Sequence, residues 1–166
     1  MQRATEPPPS PVRVKDPHPP VIGIPIVQAI ALATTFTGGF FGAISITVVG
    51  FAESQGQKSY SGLLLGLWAS GSAVMAIING LIKWKTSYTG RFIIFLSSLT
   101  LLSIPFVFVD SILGLAVALF FNGFAIAPLI VNAYGIVQEA VPSEQITESF
   151  TWVVAGMPLG LSLIHI

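Results

Sequence analysis

Five positions inside long apolar stretches carry groups that can do more than fill space: Gln28, Thr35, Gly39, Asn122 and Asn132. An amide both donates and accepts hydrogen bonds, a hydroxyl does the same on a smaller scale, and a glycine exposes its backbone. Gln28, Thr35 and Gly39 recur at i, i+7 and i+11, which places them on one face of a helix. Asn122 and Asn132 lie about 80° apart on a helix of 3.6 residues per turn, within reach of one broad face. Such groups either hold a small molecule or tie neighbouring helices, and the residue types alone leave both readings open. Trp68 is similar: its indole needs a partner, and packing and ligand stacking both satisfy it. Covalent chemistry is not written here. There is no Ser-His-acid arrangement, no His cluster at metal spacing, no phosphate-binding glycine loop, no cysteine and no paired carboxylate within the apolar stretches. The expectation is a chain that is not an enzyme, holds no metal or cofactor, and does not itself consume ATP.

The elements that must position these residues are long and apolar. Val21–Phe51 contains no Asp, Glu, Lys or Arg, and about 20 apolar residues suffice to cross a bilayer as a helix. Pro25 stands near its start, where a missing amide costs little. Further uncharged spans follow at Tyr60–Ile82, Phe92–Val109 and Ser111–Val137, and a fifth apolar run covers Phe150–Gly160. Charged residues make up 8% of the chain and hydrophobic ones 53%; ordinary globular domains are about 25% charged. All the formal charges of the first four spans are displaced into the tail and connections, which is the segregation a lipid solvent enforces. The fold class expected is therefore all-α integral membrane, a multi-pass transmembrane helical bundle in contact with the lipid bilayer. The formal net charge is zero, which offers no electrostatic reason to bind nucleic acid.

Orientation follows from the basic residues. Arg3, Arg13, Lys15, Lys83, Lys85 and Arg91 fall on one side and only Lys58 on the other. The positive-inside rule then puts the N-terminal segment and the Lys83–Arg91 connection in the cytoplasm, with the chain in the cell (inner or plasma) membrane. Residues 1–20, polar and Pro-rich, are expected to be a disordered cytoplasmic segment. They lack the basic start, short apolar run and cleavage site of a signal peptide. Tyr60, Trp84 and Trp152 lie near span ends, where interfacial aromatics concentrate. Gly62, Gly66 and Ser70 on the second span, and Gly38 with Gly42 on the first, form small-xxx-small stripes that let helix backbones approach.

Asn122–Gly160 carries a Gly-Phe-x-x-x-Pro break (Gly123, Phe124, Pro128) and a Thr-Glu-x-Phe-x-Trp start (Thr147, Glu148, Phe150, Trp152). This region resembles the tenth helix, the following loop and the start of the eleventh helix of a major facilitator superfamily transporter. The resemblance implies a partial fold of that family, its C-terminal half, with the spans of residues 21–160 as helices seven to eleven and residues 1–20 as the end of the central loop. It implies a fragment of a secondary transporter moving a small solute by alternating access, together with an N-terminal half of the same protein. Helices seven and ten line the family's cavity, which makes Gln28, Thr35, Gly39, Asn122 and Asn132 the implied cavity candidates. Their lack of charge favours efflux over uptake. The family's cytoplasmic loop motif is echoed by Gly80, Lys83, Lys85, Gly90 and Arg91, with longer spacing and with Trp84 where the motif has Asp. That loop is either a conformational switch or a basic stop. The alternative from another class is a multi-pass membrane scaffold that does not transport.

The ends carry expectations of their own. Met1 is expected to be an internal or misassigned start. Leu161–Ile166, LSLIHI, resembles an in-frame translation of a transposase-type sequencing adapter, which would leave His165 without a role.

Overall fold

A computed structural model of the chain describes residues 20–163. The expectations for residues 1–19 and 164–166 lie outside the described residues. Six α-helices and four short 3-10 turns make up the described chain, with no strand among the described residues. Four stretches are long and apolar enough to cross a membrane: Pro25–Ser54, Lys58–Leu81, Tyr88–Phe108 and Ile112–Ala140. The bundle turns much of its apolar surface outward. Phe36 is 72% exposed, Leu81 79% and Val107 80%, an exterior that suits lipid and would be an aggregation liability in water.

The termini of the helices follow from local chemistry. Helix α1 (Pro25–Ser54) starts with proline in its first turn, and Ile24 before it is extended, as a residue preceding proline prefers. It ends in a Schellman turn. Gln57 donates its amide to the Ala52 carbonyl at 2.8 Å and Gly56 donates to Glu53 at 2.9 Å. The turn needs Gly56, whose φ is +68°. Helix α2 (Ser61–Leu81) matches the expected second span within a residue or two. Helix α3 (Tyr88–Leu101) begins four residues before the expected Phe92, because the Ser87 hydroxyl accepts the Gly90 amide at 3.2 Å and caps the helix there. The connection expected over Lys83–Arg91 is accordingly shorter, and Arg91 belongs to the helix. Pro105 cannot continue α3, and the span finishes as a 3-10 turn over Ile104–Phe108.

The fourth span is broken. Helix α4 (Ile112–Gly123), capped by Ser111, stops, and helix α5 (Ile126–Ala140) begins after Phe124 and Ala125. Phe124 and Ala125 donate to the carbonyls of Phe121 and Asn122 at 3.1 and 3.3 Å, a tightened turn. Pro128 has no amide to offer the Phe124 carbonyl, which is where the ladder lapses. Helix α6 (Ile146–Ser162) also starts four residues before the expected Phe150, with Glu148 in its first turn, where the helix dipole favours an acid.

Glycine sets the closest helix pairs. Helices α1 and α6 run parallel: Gly156 lies over Ala31 and Thr34, Met157 over Gly38, and Gly160 over Thr35 and Gly39. An added Cβ at Gly38, Gly156 or Gly160 would collide with the partner helix. Gly71 of α2 meets the Phe120 carbonyl of α4, and Gly123 meets the Trp68 carbonyl. Helix α3 runs antiparallel to the α4–α5 span, with the Tyr88 ring against Gly135 of α5 and Leu99 beside Asn122 of α4.

Among the described residues, the expected packing stripe on α2 meets no partner helix. Gly62 and Gly66 have open space where a side chain would go, and Ser70 donates to its own helix at Leu67 (2.7 Å). The contact is made instead by Gly71, on another face. Gly38 and Gly42 are both buried. Replacing Gly62 or Gly66 by alanine is therefore expected to leave stability within about 0.5 kcal/mol or raise it slightly, since alanine is the better helix former. Unfolding titrations in mixed micelles would measure this, and a loss above about 1 kcal/mol would show that the stripe is an interface.

Candidate functional site

Asn122 is fully buried at the last turn of α4, just before the break. Its side-chain oxygen accepts from the Trp68 indole at 3.0 Å. Its amide nitrogen donates to the Leu99 carbonyl at 3.2 Å and the Ser103 hydroxyl at 3.1 Å. One side chain thus joins α2, α4 and the end of α3, and both its donors are used within the chain. Trp68 packs its ring edge-on to Phe41 at 4.9 Å and Phe40 at 6.5 Å. Asn122 thus acts as a clamp between these elements, and Trp68 is buried in the core.

Asn132 is also fully buried, yet its accounts do not close. Its nitrogen donates to the Pro128 carbonyl one turn back at 2.7 Å. Its oxygen has no hydrogen-bond partner among the described residues. A buried acceptor left so costs about 1–3 kcal/mol, and native structures leave few such groups without a reason. Asn122 and Asn132 stand on either side of the break at Phe124 and Ala125, one in α4 and the other in α5.

The three candidates on α1 separate. Gln28 is exposed in the first turn. Thr35 donates its hydroxyl to Ala31 at 2.8 Å, and with Gly39 it lies beneath Gly160 of α6. Their common face is the α1–α6 seam. Its neighbour Thr34, which spacing did not single out, does more: its buried hydroxyl lies 2.9 Å from the Ala31 carbonyl and 3.0 Å from that of Val153 in α6. No periodic signal separates Thr34 from Thr35, and only the partner helix distinguishes them.

A groove of about 470 Å³ opens on a different face of α1, between it and α3. Leu32, Phe36, Thr37 and Phe40 form one wall, and Leu96, Leu99, Thr100 and Ser103 the other. The groove is apolar because each hydroxyl donates to its own helix: Thr37 to Ala33 at 2.8 Å, Thr100 to Leu96 at 3.1 Å and Ser103 to Leu99 at 2.7 Å. Leu99 and Ser103 also accept from Asn122, so the buried clamp fixes one wall of the groove. No family model, curated protein or solved structure matches this chain.

At the opposite end of α2 the basic loop residues fall into two groups. Lys83 and Lys85 are exposed, while Arg91 is half-buried. The Arg91 guanidinium lies 4.4 Å from the Tyr88 ring centre and 5.8 Å from that of Trp84. Trp84 donates its indole to the Asn79 carbonyl at 3.2 Å and meets Phe95 edge-on at 5.9 Å. The residue standing where the resembled motif has Asp therefore faces the arginine with an aromatic ring. Gly80 has open space, and Gly90 is tucked against Thr86 and Ser87. Among the described residues no group of three His, Cys, Asp or Glu could hold a metal ion.

Proposed function

We propose that the chain is part of a secondary transporter of the major facilitator type, moving a small uncharged solute across the cell membrane by alternating access, with efflux the favoured direction. The end bearing Lys83, Lys85 and Arg91 faces the cytoplasm in this reading, and a second set of helices completes the solute site. The observation that carries it is the break in the fourth span, with a fully buried Asn132 whose oxygen lacks a donor two turns beyond. Irregular backbone at membrane depth is tolerated where it is buried in protein or lines a cavity, and interrupted apolar segments point to transporter binding sites. An unpaired buried acceptor at such a place is what a solute hydroxyl or amide N–H would satisfy.

The test is solute flux in proteoliposomes made from the complete reading frame that contains this chain. Asn132→Ala is expected to lower flux by about tenfold, the equivalent of one good hydrogen bond. Its unfolding midpoint should move little, because removing the unpaired oxygen offsets the loss of the bond to the Pro128 carbonyl. Unchanged flux would remove Asn132 from the site. Absence of flux for every solute tried, with the helices still inserted and associated, would favour the membrane scaffold instead.

A further inference from the structure

We infer that Lys83, Lys85 and Arg91 form a binding site for the phosphate of an anionic phospholipid head group. The inference rests on the membrane-spanning reading of the helices and is independent of transport. All three cations stand at the junction of α2 and α3, where two spanning stretches leave the apolar layer. None of them forms an ion pair with a carboxylate of the described residues; Lys58 does, with Glu53 at 3.1 Å. Glu139, Glu144 and Glu148 belong to the α5–α6 end and are not paired with them.

Arg91 is the centre of the site. Its guanidinium rests on the Tyr88 and Trp84 rings, which hold the plane in place without neutralising it. Its Nε is buried and has no acceptor among the described residues. The planar fork of arginine matches phosphate better than a point charge would. Lys83 and Lys85 add exposed donors on the same connection, where each basic residue near an anionic surface strengthens attachment. A lipid is favoured over free phosphate by what flanks the site. Leu81 and Ile82 precede the loop, and Ile93 and Ile94 follow it, all outward-facing and exposed. A head group at Arg91 can lay its acyl chains along them.

The full chain, purified in detergent with equal amounts of phosphatidylglycerol and phosphatidylcholine, would be weighed by native mass spectrometry. Wild type is expected to retain phosphatidylglycerol in preference. Lys83→Gln and Lys85→Gln should each lower that retention about fivefold, and Arg91→Gln further. Arg91→Lys should recover only part, since it restores the charge without the fork. Equal retention of the two lipids by wild type would overturn the proposal without needing any variant. So would displacement of the lipid by inorganic phosphate, or full retention by the triple glutamine variant. Failure of the chain to insert into vesicles at all would remove the membrane reading on which the site depends.

Discussion

Gly160→Ala is expected to be among the most damaging single substitutions in this chain, although alanine is the best helix former. By propensity alone the change should stabilise α6 by about 1 kcal/mol. In the structure the new methyl would meet the Thr35 carbonyl and the Gly39 amide, both backbone atoms of α1, neither of which can turn aside. The helices must then separate along the whole seam in which Gly38, Gly156 and Gly160 sit, and the hydrogen bond from Thr34 to the Val153 carbonyl stretches with it. Overpacking of this kind costs about 1–3 kcal/mol and sometimes more. In the membrane-spanning reading no hydrophobic force acts between helices, and close van der Waals fit is what holds them. The expected result is a loss of about 3 kcal/mol in a micelle unfolding titration. The same substitution at Gly66 should be neutral or favourable. Equal effects at the two sites would mean that α1 and α6 do not pack as described.

Asn122→Leu is expected to have the next largest effect. Leucine fills a similar volume but leaves the Trp68 N–H without an acceptor and withdraws the donors from Leu99 and Ser103. Stranding a buried donor costs about 1–3 kcal/mol; interhelical hydrogen bonds measured in membranes average about 0.6 kcal/mol. The predicted loss is about 2 kcal/mol, because three partners depend on one side chain. Trp68→Phe combined with Asn122→Leu removes both ends of the indole bond, so the double variant should cost less than the sum of the singles by about 1 kcal/mol. Strict additivity would show that the indole does not bind Asn122. Since Leu99 and Ser103 also line the groove beside α1, the same variants should loosen one wall of that groove. An apolar fluorescent probe that binds wild type would report the change as weakened binding.

The elements themselves were legible. The first four spans carry no charge, so they could be bounded by their charged flanks to within about a turn. The structure shifts those bounds where a cap overrides hydropathy: Ser87 starts α3 before its apolar run, and Gly56 carries the chain past the end of α1. The break in the fourth span was also readable, because Gly123 and Pro128 act on their own backbone. Each of these is a local property of a residue and its near neighbours.

What the sequence could not decide is which face of each helix meets which neighbour. In a soluble bundle an amphipathic stripe marks the buried side. Here the exterior is as apolar as the interior, so both sides of a helix carry the same residues and the stripe vanishes. Gly62 and Gly66 look as good an interface as Gly156 and Gly160 until the partner backbone is present, and only the second pair has one. Asn122 and Asn132 read alike as buried amides. Tertiary structure alone gives the first an indole, a carbonyl and a hydroxyl, and leaves the oxygen of the second without a donor. Hydropathy is a property of one residue in its solvent, whereas packing and hydrogen-bond satisfaction are properties of pairs distant in the chain.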